Sequence, residues 1–258
     1  MSRGAPDPAE VARLIRQREE LGAGPLVLQG MTREEALAST RRRSAAATPR
    51  PSDRGSVRAP LPVTGTDVPE GYDELKAAAL ACTRCRLAPG RTQVVFSDGN
   101  PEGRLMVVGE APGAQEDRTG LPFVGPAGKL LDLLLATIGL SREASVYICN
   151  VIKCRPPENR NPRPDEIDAC APYLRRQIEL VKPEAILAVG TFAGQLLSGS
   201  DRPLGKLRGE VYSYEGIPVV VTYHPAALLR NSGWIRPTWD DFQLLCKLLD
   251  STPTSRPT

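Results

Sequence analysis

Four apolar residues, Leu105-Met106-Val107-Val108, run straight into GEAPGAQEDRTGLPFVGPAG (Gly109 to Gly128), and that stretch runs into a leucine-rich segment from Lys129 to Leu140. The first piece has the length of a buried strand. The last has helix length, with leucines at 130, 131, 133, 134 and 135, so a helix over Lys129 to Ile138 that is apolar nearly all round and buried is predicted. Between them, glycine and proline break regular structure. Strand, long loop, helix is the opening unit of an open α/β sheet, where ligands bind beyond the carboxyl ends of the strands. This loop carries Glu110, Glu116, Asp117 and Phe123. It therefore offers carboxylates for acid/base chemistry and a flat apolar face for a planar ligand.

The rest of the chain repeats the alternation. Tyr72 to Ala81 reads as a helix, Gln93 to Phe96 as a strand, Ser97 to Gly103 as a turn and Arg104 to Gly109 as the first central strand. Val146 to Asn150 is a second strand, followed by a Pro/Arg-rich loop, Arg155 to Arg163. Pro164 then opens a helix through Val181, at the first-turn position where proline is tolerated. Ala185 to Gly190 is a third strand and Thr191 to Leu197 a helix. Lys206 to Tyr214 pairs as a hairpin with Ile217 to Tyr223, whose valines mark a buried fourth strand, and a last helix covers Arg236 to Leu249. This order predicts a three-layer α/β/α domain over 66–250 with a central, mainly parallel, four-stranded sheet. Residues 1–65 contain Pro, Ala and Arg clusters such as Arg41-Arg42-Arg43 and too little periodic apolar surface to offset chain entropy. A largely disordered extension is expected there, with one helix over 8–21, and a loose Ser/Thr/Pro tail over 251–258. The arginine clusters read first as a solvated tail and second as contacts to DNA backbone.

The chain of 258 residues carries 33 Lys and Arg against 30 Asp and Glu, a net charge of +3. That permits nucleic acid as a partner without arguing for it. No apolar run approaches the ~18 residues that span a bilayer, and Met1-Ser2-Arg3-Gly4 starts no signal peptide. A cytosolic location is therefore expected (nucleoid-associated in a prokaryote, once the resemblance below is taken in), with a monomer as the expected oligomeric state. In a reducing compartment, six cysteines read as metal ligands or buried apolar groups rather than disulfides. Cys82 and Cys85 form a CxxC, and Cys154 and Cys170 flank the arginine-rich loop and the following helix start. Split two and two, these can enclose a structural zinc or an iron–sulfur cluster, and spacing leaves both open. Cys149, in a strand, and Cys246, on the last helix, are expected to be buried free thiols.

The single histidine, His224, follows Val219-Val220-Val221-Thr222-Tyr223 and precedes Pro225-Ala226-Ala227-Leu228-Leu229-Arg230. It stands at the carboxyl end of a core strand, on the same rim as Glu110 and Glu116. Leu228 and Leu229 with Arg230 read either as an exposed apolar wedge beside a cation, of the kind that unstacks a base step, or as one helical turn packed on the core.

Taken together, GEAPGAQED with GLPFVGPAG, NVIKCRPPENRNP, HPAALLR and four cysteines in order resemble the family 4, iron–sulfur type of uracil-DNA glycosylase, over Tyr72 to Leu249. The resemblance implies a uracil-DNA glycosylase fold and a 4Fe–4S cluster on Cys82, Cys85, Cys154 and Cys170. It also implies removal of uracil from single- or double-stranded DNA. It assigns Phe123 to stacking on a flipped uracil, Asn150 to reading its edge and His224 to bonding the departing oxygen. Glu110 and Ala111 would line the pocket through main-chain contacts, and Glu116 would orient or activate water. Arg155, Arg160, Leu228, Leu229 and Arg230 become the expected DNA contacts, and the extension a recruiting segment for a repair or replication protein. The rival readings are a relative that traps its product covalently, and an iron–sulfur redox or structural DNA-binding protein. The first is marked by a basic, histidine-containing insertion that Arg155 to Arg163 lacks. The second lacks both a compact ferredoxin cysteine run and a GxGxxG fingerprint.

Overall fold

The computed structural model describes residues 68–251, so the expectations for 1–65, including the 8–21 helix, and for the tail beyond 251 lie outside the described residues. Helices α1 (Tyr72–Leu80), α2 (Ala114–Thr119), α3 (Pro126–Ala136), α4 (Pro164–Val181), α5 (Thr191–Ser198), α6 (Leu204–Leu207), α7 (Pro225–Arg230) and α8 (Ile235–Ser251) enclose one sheet. Its strands are β1 (Asp98–Gly99), β2 (Leu105–Gly109), β3 (Val146–Asn150), β4 (Ala185–Val189), β5 (Val211–Tyr214) and β6 (Ile217–Thr222). Their order is β1-β3-β2-β4-β6-β5. The four central strands are parallel, as expected, and the two edge strands are antiparallel.

The sheet thus has six strands rather than four. β5 belongs to the expected hairpin and turns back through Glu215-Gly216, but Lys206 and Leu207 form the short helix α6 instead of extending it. β1 lies inside the segment expected to be a turn, and Gln93 to Phe96 is not a strand. Its residues Val94, Val95 and Phe96 are buried because the segment runs beside the loop after β3, where Val95 N–H donates to the Lys153 carbonyl at 2.8 Å.

Period-two alternation divides the core into two layers. Met106, Val108, Tyr147, Cys149, Ile186, Ala188, Val219 and Val221 face α1, α4, α5 and α6. Leu105, Val107, Val146, Ile148, Leu187, Val189 and Val220 face α3, α7 and α8. Cys149 is buried as expected, whereas Cys246 is only half-buried, with Asp250 within 3.8 Å of its thiol. Helix α3 starts at Pro126, three residues before the expected start, because a first-turn proline is already set for helix. It is not apolar all round in use: Leu131 and Leu135 are fully buried while Leu133 is 66 % exposed.

The topology places the site. From β2 the chain crosses to β3 on one side and then returns to β4 on the other, so a switch point lies at β2. A crevice opens beyond the carboxyl ends at such a point. The register brings Gly109 level with Asn150, and Val189 level with Thr222.

The orientation of α3 is testable by chemical denaturation. Leu131→Ala should lose about 2–5 kcal/mol through transfer and cavity terms. Leu133→Ala, on the outward face, should stay within about 0.5 kcal/mol of the parent. Equal losses would mean the helix is rotated.

Candidate active site

Beyond the carboxyl ends lies a cleft of about 930 Å³ lined by Glu110, Ala111, Glu116, Phe123, Asn150 and His224, with Arg160 and Arg230 at its margins. Residues separated by more than a hundred positions are brought together by four strand ends.

Phe123 is the wall of this cleft and is held in an unusual way. Its backbone is left-handed at φ 53°, a region bulky residues rarely adopt. Three neighbours hold it there. A Cβ on Gly128 would stand 1.6 Å from the Phe123 carbonyl oxygen, so the loop can close over α3 only where that helix lacks a side chain. Arg142 donates to the carbonyls of Pro122 and Phe123, both at 3.0 Å, while its guanidinium is also paired with Asp98 and Asp132. Glu116 Oε1 accepts the N–H groups of Val124 and Gly125 at 3.0 and 3.2 Å. The ring itself fits because Gly109, at the end of β2, has no Cβ: one added there would lie 2.6 Å from Phe123 Cζ and 2.3 Å from Asn150 Oδ1.

Asn150 ends β3 and is only 2 % exposed. Its main-chain oxygen accepts from Lys153 Nζ at 2.7 Å, yet its side-chain amide has no hydrogen-bond partner among the described residues and lines the cleft. The amide is open to the cleft, where the polar edge of a ligand can meet it.

His224 is the N-cap of α7 and accepts the Ala226 N–H on Nδ1 at 3.1 Å. This accounts for the His-Pro-Ala order: histidine caps, proline occupies the first turn without an N–H to lose, and the next residue donates. With Nδ1 an acceptor, the neutral ring carries its proton on Nε2. Burial, and then the charge of Arg230, push the histidine pKa down to about 4, against the opposing pull of Glu116. The imidazole lies near-parallel to Phe123, centroids 5.5 Å apart and planes at 25°. Glu110 is partly buried, and that burial raises its carboxyl pKa.

The flanking expectations fare unevenly. Leu228 is 2 % exposed and packs in the core on the α3 and α8 side, so it is no wedge; the single helical turn puts only Leu229, 55 % exposed, outward. Arg160 lines the cleft but is already committed, pairing through both guanidinium nitrogens with the fully buried Glu166. That pairing, helped by the Arg163 N–H and against the opposing effect of burial, sets the Glu166 carboxyl below its usual range. Arg155 donates to Asn159 Oδ1 at 2.8 Å. Sequence reading passed over Tyr223 and Trp234, which also line the cleft. The available signal was that Trp234 is one of 2 tryptophans in a chain with 5 % aromatics.

A second, smaller cavity is lined by all four candidate ligands, Cys82, Cys85, Cys154 and Cys170. N–H groups point at three of the sulfurs: Arg84 N to Cys82 at 3.5 Å, Arg91 Nη1 to Cys154 at 3.4 Å and Lys153 N to Cys170 at 3.3 Å. Burial pushes the Cys154 thiol up and the Cys170 thiol up to about 12, so neither is a free nucleophile. Among the described residues, no three Cys, His, Asp or Glu side chains gather at one ion-sized point. Lys153 is 2 % exposed, and no carboxylate pairs with it among the described residues.

The lone histidine makes its protonation state directly readable. In an NMR titration of the imidazole nitrogens, His224 should remain neutral with the proton on Nε2 from pH 8 to pH 5. It should titrate near pH 4 instead of near the ordinary value of about 6.5. A midpoint near 6.5 would refute the desolvated, capped geometry.

Comparison with known proteins finds related sequences. Residues 96–243 match the model of the uracil DNA glycosylase superfamily. The chain is 43 % identical over 168 residues to the type-4 uracil-DNA glycosylase of Archaeoglobus fulgidus, covering 62 % of this chain and 84 % of that protein. It is 48 % identical over 152 residues to the type-4 enzyme of Thermotoga maritima, covering 58 % and 79 %. A type-5 uracil-DNA glycosylase of Pyrobaculum aerophilum is 33 % identical over 195 residues, covering 63 % and 85 %.

Proposed function

The chain belongs to the type-4 uracil-DNA glycosylases of the uracil DNA glycosylase superfamily, and we propose that it hydrolyses the N-glycosidic bond of uracil in DNA, leaving an abasic site for base excision repair. The observation that carries the reading is the Asn150 amide, set against Gly109 and Phe123 and open to the cleft with no protein partner among the described residues.

Chemistry on a base in duplex DNA requires extruding it, at a cost of a few kcal/mol, into a closed pocket. A pyrimidine laid on Phe123 presents its edge to Asn150. The amide offers an acceptor to uracil N3–H and a donor to O4. Cytosine reverses that pattern, so an amide held in place against Gly109 rejects it. Breaking the glycosidic bond leaves negative charge on uracil and positive charge on the sugar. His224, neutral with Nε2–H directed to the departing oxygen, stabilises the first without having to lose a proton. Glu116 faces the second. Its Oε1 is held by the Phe123 loop, and Oε2 accepts no hydrogen bond among the described residues, which leaves it for water or for the sugar's developing charge. Arg230 stands at the margin for phosphate.

For the cysteine cavity the same proposal assigns a 4Fe–4S cluster to Cys82, Cys85, Cys154 and Cys170. The donor set fits. Four sulfurs lining one cavity are the donor set that such a cluster takes. N–H groups directed at sulfur are the usual outer support of such ligands. The Lys153 ammonium, buried without a carboxylate, gains its counter-charge once the thiols are ionised by coordination. Bound there, the cluster supplies cross-links and charge rather than a step in bond cleavage. These residues tie α1 and α4 to the chain leaving β3, and so hold the Arg155 to Arg163 loop at the cleft.

The proposal is tested by single-turnover cleavage of an end-labelled oligonucleotide with one uracil, followed by alkali, beside a thymine control. Cleavage at uracil alone is expected, and an alkali-resistant protein–DNA band would instead indicate trapping of the product. Glu116→Ala and His224→Ala should each slow cleavage at saturation by at least about 100-fold, the lower range for such groups. Weak binding with normal cleavage at saturation would remove them from the chemistry. Gly109→Ala, by pushing Phe123 and Asn150 out of place, should raise the DNA concentration needed for half-maximal rate; an unchanged value would mean the two residues do not form the base pocket.

A further inference from the structure

Trp234 lines the cleft, yet excision of uracil as described gives it no task. Its indole lies flat on Tyr223, centroids 4.7 Å apart and planes at 6°. The Arg208 guanidinium lies 4.3 Å from the centre of the same Tyr223 ring. Tyr223 thus packs against both Arg208 and Trp234. Arg208 is anchored in the core. Arg208 Nε donates to Asp241 at 2.8 Å and Nη2 to the Pro237 carbonyl, and Asp241, 1 % exposed, also accepts the Thr222 hydroxyl at 2.6 Å. Thr222 ends β6, and Tyr223 and His224 follow it directly. The strand that delivers the histidine therefore also fixes the stack.

Trp234 remains 37 % exposed although it stacks on Tyr223, and Leu229 and Ile235 are 55 % and 46 % exposed. Arg230 lies on the same lip of the cleft. A rigidly backed aromatic face, open to solvent, next to a guanidinium and continuous with a base pocket suits a planar π-system joined to an anion. A nucleobase in a DNA strand has that chemistry.

We infer that Trp234 is a stacking subsite for the base adjacent to the extracted uracil in the same strand, with Arg230 meeting the phosphate between them. The inference rests on the reading that the cleft receives uracil. In a duplex, the neighbouring base is held by its own partner and stack. In a single strand it is free to lie on the indole. The subsite therefore favours uracil in single-stranded DNA over uracil in duplex.

The test uses the full-length, cluster-loaded protein and single-stranded oligonucleotides with one uracil. The nucleotide on either side is normal or replaced by a tetrahydrofuran abasic analogue. Trp234→Ala should raise the half-saturating DNA concentration roughly 5- to 150-fold, the span measured for one stacked base. The rate at saturation should be little changed. Trp234→Phe should restore most of the loss. The effect of Trp234→Ala should disappear when one of the two flanking bases is absent, and it should be smaller on duplex. Loss that persists with both flanking bases removed would overturn the inference, since Trp234 would then only build the lip. No loss on any substrate would overturn it too. A parent enzyme that cleaves no uracil would sink the reading of the cleft itself, an outcome seen before any Trp234 variant is compared.

Discussion

Phe123 sits in a backbone conformation that costs of order 1–3 kcal/mol for a residue of its kind, and the rest of the cleft depends on its staying there. The loop from β2 to α3 is long and glycine-rich, and left to itself would sample many shapes. It is closed by contacts that each act on main-chain atoms next to Phe123: the Gly128 helix surface, the Arg142 guanidinium and the Glu116 carboxylate. Fixing the main chain fixes the ring, and the ring then borders both His224 and Asn150. Glu116 serves this closure and the cleft at once, since one oxygen holds the loop while the other is left over. Position and chemistry at Glu116 are therefore coupled, and the isosteric glutamine, whose carbonyl can still accept the two N–H groups, separates them better than alanine does.

The cysteine cavity and the base cleft meet in one short segment. Asn150, Lys153 and Cys154 leave β3 within a single turn of chain. Lys153 joins them physically: its main-chain N–H points to Cys170 and its ammonium to the Asn150 carbonyl. Displacing the thiols would strand a buried positive charge beside the residue proposed to read the base. The proposed cluster would thus contribute to recognition through rigidity and charge, without touching DNA bases.

Much of this was legible in the sequence where local pattern and tertiary use coincide. Val146 to Asn150 and Pro164 to Val181 begin and end where the pattern placed them, one bounded by charge and polarity, the other opened by a first-turn proline. The strand-end positions of Glu110, Asn150 and His224 followed from strand order alone. What escaped depended on partners distant in the chain or on helix phase. The two residues of β1 are strand only because β3 lies beside them. Leu228 and Leu229 differ in fate by 100° of rotation on a six-residue helix, too short to show a period. Arg160 looked free because nothing in the sequence marks Glu166 as buried. The Arg208–Tyr223–Trp234 contacts join three segments that no local pattern connects.

The strand order β1-β3-β2-β4-β6-β5 also sets when the cleft is completed. Pairing of β2 with β3 assembles Phe123 and Asn150, and β6 carries His224 onto β4, but the two halves meet only when β4 pairs with β2, Leu105 with Ala185, the pairing most distant in the chain. Long-range pairings form late because loop closure must be met before contacts reward it. A chain with only β2 and β3 paired therefore holds the proposed surface for a base before it holds the proposed donor for the leaving oxygen, and the ability to break a bond in DNA would be the last property the molecule acquires as it folds.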